Sequence, residues 1–146
     1  MGILGDILVA TEQDALAYDA SLEFRKSPTA AITVVYYKSF TGLEFGTLWA
    51  LASGEPFEMR RHKLRHISHG DEGERWLEAF PEELVAVLSA LPEAELASLA
   101  ARWAATDELR LSHMLPEHAE PVVRDLRRLA AQARHEGKGM YLWGSL

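Results

Sequence analysis

The proline and glycine residues of the second half constrain the fold of this chain more than any other feature. Within residues 80–146, Pro81, Pro92 and Pro116 each stand at the start of an apolar helical pattern, and Gly137 follows the last one. Proline suits the first turn of a helix because its φ is already helical, whereas glycine readily adopts the left-handed conformation that ends a helix. The pattern predicts two short helices, one long helix and a terminal strand.

The predicted helices differ in length and in how they are joined. The first two are separated only by the residues around Pro92, so we expect them to meet at a sharp αα-corner. The long helix should run from Pro116 to about Glu136, because its apolar residues recur every three to four positions. Its predicted core-facing residues are Val122, Val123, Leu126, Leu129, Ala130 and Ala133. The apolar run at 140–143 then predicts the terminal strand.

The first half of the chain is predicted to contribute most of the strands. Apolar and β-branched residues predict strands at 7–10 and 31–37, each followed by a helical pattern, at about 12–20 and 43–52. The unbroken run at 31–37 is typical of a strand buried on both faces or covered by a helix. Residues 64–67 and 75–77 predict a hairpin. The fold class is therefore α+β: a small β-sheet with a helix-rich C-terminal half.

Length and composition limit the classes of protein to consider. The chain has 146 residues, the usual size of one domain, and we assign 1–146 to a single domain. It has no cysteine, which excludes disulfides and thiolate sites and favours a cytoplasmic location. No apolar run reaches the ~20 residues of a membrane helix, and the N-terminus lacks a secretory pattern. No motif indicates a cofactor.

The charge of the chain is uneven and points to a protein partner. The net charge is −7, of which −1 falls in residues 1–70 and −6 in residues 71–146. Such a surface repels phosphate backbones and attracts basic proteins, which makes nucleic acid an unfavourable partner. The predicted partner-binding residues are the acidic helix starts at Glu82, Glu83, Glu93 and Glu95. The helix dipole explains carboxylates at these positions equally well.

Three histidines indicate metal binding as an alternative to a protein-binding function. His62, His66 and His69 have the i, i+4, i+7 spacing of one helix face, and three imidazoles there could bind zinc or nickel. Four cations interleave with them and would repel a metal ion, and the segment is a poor helix. An exposed basic segment, paired with the acidic helices of the same chain, is the simpler interpretation. His113 and His118, near Asp107 and Glu108, mark another place where an acid–base group could lie beside carboxylates, although a solvated loop between helices is the favoured interpretation.

Several short segments of the sequence resemble segments of other proteins. They are GTLWAL from Gly46, FPEEL from Phe80, RWAATDE from Arg102, and LAAQA, GK and MYLW within residues 129–143. The chain resembles, over roughly its last hundred residues, a group of small uncharacterised bacterial proteins. No activity is established for that group, so the resemblance implies no site residues. In size and acidity the chain is also similar to immunity proteins that neutralise secreted bacterial toxins.

Three functional hypotheses follow. The preferred one is a non-enzymatic, acidic, cytoplasmic module that binds another protein, for example as an immunity protein whose acidic helices plug the basic active site of a toxin. The second is a small metal-dependent enzyme or metal-binding domain using the histidines of residues 62–69. The third is a homodimeric scaffold with Trp76, Trp143 or the pair Tyr36 and Tyr37 exposed at an interface.

Overall fold

An antiparallel five-stranded sheet forms the centre of the protein, as a computed structural model describes it for residues 3–70 and 72–146. The strand order is β2–β1–β5–β4–β3, so the last strand lies in the middle of the sheet. The strands are β1 (Leu4–Ala10), β2 (Thr33–Lys38), β3 (Arg65–His69), β4 (Arg75–Ala79) and β5 (Gly139–Ser145). The α+β class predicted from the sequence is confirmed.

Helices cover both faces of this sheet. The described residues form α1 (Glu12–Ala20), α2 (Leu22–Lys26), α3 (Gly42–Ser53), α4 (Glu82–Ser89), α5 (Leu96–Ala104), α6 (Asp107–Leu111) and α7 (Pro116–Glu136), with a 3₁₀ turn at Glu93–Glu95. Ile7 and Leu142 point to the main face, where α3, α4, α5 and α7 build the larger core. Leu8 and Trp143 point to the opposite face, which packs against α1 and which we call the α1 face.

The long helix α7 is the central support of the main face. All six residues predicted to face the core are buried, and α4 and α5 both pack against this helix. Gly137 ends it with φ +68°, the left-handed conformation expected of a glycine there. The segments Glu82–Ser89 and Glu93–Ala104 meet at 95°, which confirms the αα-corner. In the described part of the chain no single helix is both long and apolar enough to cross a membrane, although these two segments would meet both criteria together.

Several sequence-based boundaries need correction. Strand β1 begins at Leu4 and includes Asp6, and the short helix α2 was not predicted. Pro81 precedes α4 as its N-cap, and the helix ends at Ser89, before Leu91. Strand β2 is an edge strand with exposed residues, so burial on both faces, one of the two alternatives for this run, is wrong; its other face, with Val35 and Tyr37, packs against the helix-covered main core. Hydrophobicity alone does not distinguish an edge strand from a central one, because pairing depends on segments far away in the sequence.

The segment that connects α3 to β3 lies very close to the backbone of α3. Helix α3 begins with a capping box between Thr41 and Glu44 and ends at Ser53, with Gly54 as its left-handed C-cap. A Cβ atom at Gly46, in the middle of α3, would overlap the carbonyl oxygen of His62. The segment between α3 and β3 can therefore lie against α3 only because position 46 has no side chain.

We expect Gly46→Ala to lower the free energy of unfolding by about 1–3 kcal/mol, as overpacking against a backbone does. Helix propensity alone would give a gain of about 1 kcal/mol in the opposite direction. Urea unfolding decides between the two signs. Ser53→Ala in the same helix is the control: the buried Ser53 hydroxyl has no hydrogen-bond partner among the described residues, so its removal should not destabilise the protein. A Gly46→Ala variant as stable as the wild type would contradict the close approach.

Candidate functional site

An open groove lies on the α1 face between helix α2 and edge strand β2. We call it the β2 groove; its volume is about 600 Å³, within the size range of ligand sites. It is lined by Leu4 and Asp6 from β1, Tyr18 from α1, Leu22, Arg25 and Lys26 from α2, Tyr36, Tyr37 and Lys38 from β2, and Trp143 from β5. The groove combines an apolar lining with several charged side chains.

The register of the sheet places the floor of the groove. Asp6 pairs with Tyr36 on one side and with Trp143 on the other, so these three residues form one row across β2, β1 and β5. Helix α1 covers the row at Trp143, whose Nε1 donates to Asp19 Oδ1 over 3.0 Å. The row emerges at Tyr36, which is 64% exposed. The α1 face is therefore covered towards β4 and open towards β2.

Asp6 is a buried carboxyl group in the middle of an apolar strand. It is only 6% exposed, and its Oδ2 accepts a 2.6 Å hydrogen bond from the Tyr18 hydroxyl. Burial raises the pKa of Asp6, against the lowering effects of the Tyr18 hydrogen bond and of Arg25. Burial and the neighbouring Asp6 also raise the pKa of Tyr18. Perturbed groups of this kind in a cleft identify a candidate functional site.

Arg25 forms the wall above this floor. Its Nη1 donates to the carbonyl oxygens of Tyr18 and Asp19 at 2.9 and 2.7 Å, so the guanidinium caps the C-terminal end of α1. The same guanidinium lies over the Trp143 ring, 4.6 Å from its centroid, as a cation–π pair. These contacts fix the arginine beside the groove while Nη2 and Nε make no hydrogen bond within the described residues.

The three histidines of the metal hypothesis do not converge within the described structure. His62 is buried between Trp49 and Phe57, its Nδ1 accepts from the Glu58 backbone N–H, and its Nε2 lies 3.1 Å from Glu55. His66 and His69 lie together on β3, with Nε2 and Nδ1 3.1 Å apart. Residues 3–70 and 72–146 contain no group of three His, Asp or Glu residues that could hold a metal ion.

A β-bulge explains why the two exposed histidines meet. Pairing with β4 shifts between His66 and Ser68, so Ile67 is an extra residue in β3. Residues three apart in a regular strand lie on opposite faces, whereas here His66 and His69 share the main-face side. Glu78 is the cross-strand partner of His66, and burial raises its pKa.

Two of the four predicted partner-binding carboxylates are engaged within the chain. Glu83 forms a two-pronged ion pair with Arg61, which also lies over the Trp49 ring. Glu93 binds both Arg124 and Arg127. Glu82 and Glu95 are exposed and make no ion pair with the described residues. The Arg61–Glu83 pair confirms that the basic segment contacts an acidic helix of the same chain.

The remaining candidates lie at scattered positions on the surface. His113, His118 and Asp107 are exposed, and His113 has a positive φ of 56° at the end of the α6 turn. Of the aromatic residues considered for a dimer interface, Trp143 is buried, so its predicted exposure is wrong. Trp76 is half-buried and lies over Gly144, where a Cβ atom would overlap the indole ring.

Sequence reasoning missed the β2 groove, although one signal for it was present. Asp6 interrupts an otherwise apolar strand and lies on the same face as Leu4 and Leu8, which are two positions away on either side. A carboxyl group buried on that face requires a hydrogen-bond partner. The partner residues Tyr18, Arg25 and Trp143 come from three other elements. Comparison with protein-family models, with curated proteins and with solved structures finds no match.

We expect Asp6→Asn to stabilise the protein at pH 7 by on the order of 1 kcal/mol, because it removes the cost of a buried carboxylate. The raised pKa means that the folded state binds the proton more tightly than the unfolded state, so wild-type stability falls as pH rises above the ordinary value of 3.8. The difference in thermal midpoint should therefore shrink as the pH falls towards 4. Glu95→Gln, at an exposed carboxylate, is the control. A difference between Asp6→Asn and wild type that is constant with pH would contradict burial of the charge.

We expect His62→Ala to cost about 2 kcal/mol or more, because it opens a cavity and leaves the Glu58 N–H without its acceptor. His66→Ala should change the free energy of unfolding by less than about 0.5 kcal/mol, as exposed substitutions usually do. Chemical unfolding with and without added zinc measures both. Zinc stabilisation of the wild type that is lost in each variant alike would support the three-histidine metal site instead.

Proposed function

We propose that this chain is a non-enzymatic binding module for another protein, and that its partner docks along edge strand β2 as an additional strand. The observation that carries the proposal is the difference between the two edges of the sheet. Exposed edge strands pair readily with other chains, and proteins usually protect them with charges, prolines or bulges. Addition of a partner strand to an open edge is a common mode of peptide recognition.

Strand β3, at one edge, carries such protection. It is bulged between His66 and Ser68, and Arg65, His66 and His69 are exposed along it. Strand β2, at the other edge, pairs with β1 in unbroken register from Leu4 opposite Lys38 to Val9 opposite Thr33. It contains no proline, and Lys38 at its end is its single charged residue. Strand β2 is therefore the edge suited to receive a partner strand.

Exposed apolar side chains surround this edge. Tyr36, Leu22 and Leu4 are 64%, 57% and 42% exposed, and all three line the β2 groove. A contiguous apolar surface of this kind is typical of a protein interaction site. Side chains of an added strand on the α1-face side would lie next to Tyr36 and over the groove, where burial of apolar area favours binding.

A specific version of this proposal is that the chain neutralises a bacterial toxin in the cytoplasm. The similarity in size and acidity to immunity proteins supports it, and a net charge of −7 would speed the encounter with a basic toxin. The exposed carboxylates of Glu82 and Glu95 remain the alternative contact surface. Pairing of β2 with a second copy is less favourable, because two molecules of charge −7 repel each other.

We expect the double variant Leu22→Lys, Tyr36→Lys to lose the partner, because it places two charges on the apolar rim of the open edge. The measurement is recovery of a stoichiometric partner by the purified protein from lysate of its source, expressed with its chromosomal neighbours and read by mass spectrometry. Leu111→Lys, at a leucine 82% exposed on α6, is the matched control and should retain the partner.

Other variants distinguish the alternatives. Loss of the partner in Glu82→Lys, Glu95→Lys, with full retention in the β2 variant, would assign binding to the acidic helix starts and contradict the β2 edge. Light scattering of the wild type tests the dimer: a dimer that becomes a monomer in the β2 variant would show that the edge pairs with a second copy. Inhibition of the partner's enzymatic activity by the wild type would identify a toxin-neutralising role.

A further inference from the structure

The β2 groove is locally basic in a protein that is acidic as a whole. Arg25, Lys26 and Lys38 line it, and Asp6 is the single carboxylate among its lining residues. Lys38 has no ion pair within the described residues, and Lys26 lies 3.8 Å from the largely exposed Glu23. Arg25 is held by two carbonyl oxygens and by Trp143 and makes no ion pair within the described residues, although its charge also opposes the rise that burial causes in the pKa of the recessed Asp6.

The positions of these cations suit a ligand that lies along β2. Lys38 is on the edge strand itself, opposite Leu4, whereas Arg25 and Lys26 are on α2 across the groove. Side chains of an added strand alternate between the two faces of the sheet, so every second one would point over the groove. The carboxylate of a side chain at such a position lies between cations on both walls, and the methylene groups of the same side chain contact Leu22 and Tyr36.

The floor of the groove is compatible with an anionic ligand. Asp6 is recessed beneath the rim, with 6% exposure, and its Oδ2 is occupied by the Tyr18 hydroxyl. Its charge is therefore set back from the position at which a carboxylate would meet Lys38 or Lys26. Cross-strand pairs of opposite charge stabilise neighbouring strands, whereas like charges destabilise them.

We propose, on the basis of the proposed function, that the segment added to β2 is an acidic peptide whose alternate carboxylates are bound by Lys38 on the edge strand and Lys26 on α2, with Arg25 adding to the positive potential of the groove. The β2 groove is thus positively charged, whereas the surface that would block the basic active site of a toxin is acidic. The partner presents an extended acidic segment to this groove, even where the remainder of its surface is basic.

The test uses the full-length protein and three fluorescein-labelled hexapeptides that differ only in charge. Each has valine at three alternate positions, and glutamate, glutamine or lysine at the other three. Fluorescence anisotropy gives the affinities, and backbone amide shifts of the protein locate the binding. We expect the glutamate peptide to bind at least tenfold more tightly than the glutamine peptide, with strong weakening at high salt, and to shift the amides of β2.

Charge reversal at one position gives the sharpest form of the test. Lys38→Glu should weaken the glutamate peptide by about tenfold or more and improve the lysine peptide, because the cross-strand charge pair is reversed. Lys63→Glu, at an exposed lysine outside the β2 groove, is the matched control and should leave the preference unchanged. Similar thermal midpoints of both variants and wild type establish that the fold is intact.

The outcomes separate this inference from the proposed function. Equal β2 amide shifts with the glutamate and glutamine peptides would overturn the acidic specificity and leave strand addition standing. Absence of β2 shifts with all three peptides, together with partner capture that survives Leu22→Lys, Tyr36→Lys, would overturn both. Succinate binding as tightly as the glutamate peptide, without β2 shifts, would overturn the inference in favour of a pocket for small anions.

Discussion

The pairing of β5 between β1 and β4 is the constraint on which the rest of the structure depends. Strand β1 pairs with β5 along its whole length, from Leu4 opposite Ser145 to Ala10 opposite Gly139, and β4 pairs with the other edge of β5. Without β5 the strands of the first half and the hairpin would have no common partner. Helix α7 leads directly into β5 and packs against the main face, so the same segment supplies both the middle strand and its cover.

The central position of β5 also determines where the candidate site lies. Because β5 and β4 occupy the other side of β1, β2 is left at the edge, and α1 and α2 are too short to cover the whole α1 face. The uncovered part is the β2 groove. Trp143 links the covered and uncovered parts of the α1 face. Its indole N–H donates a hydrogen bond to Asp19 of α1, and its ring forms the cation–π pair with Arg25 at the groove wall. Disruption of β5 would therefore alter the β2 groove as well as the stability of the sheet.

Local patterns predicted the elements of this fold better than their arrangement. Helix α1 has the predicted bounds and Thr11 cap, α7 buries its predicted face, and the hairpin forms where charged residues flank a glycine-containing turn. These features depend on residues a few positions apart. The edge position of β2 and the burial of Asp6 depend on contacts with β1, β5 and α1, and no short window of sequence contains them. The groove was missed for the same reason: its lining residues come from five elements that are separated along the chain.

The order of the strands also has a consequence for synthesis on the ribosome. Strand β1 emerges first, but its longest pairing partner, β5, is made after every other described element, so the sheet cannot close until α7 has also left the exit tunnel. Long-range pairing of this kind slows folding and leaves strand edges exposed in the meantime. During that interval the edge of β1 that later pairs with β5, and the outer edge of β2, are free for association between nascent chains. A chaperone that binds extended apolar segments would find them at residues 4–10 and 33–38 of the growing chain.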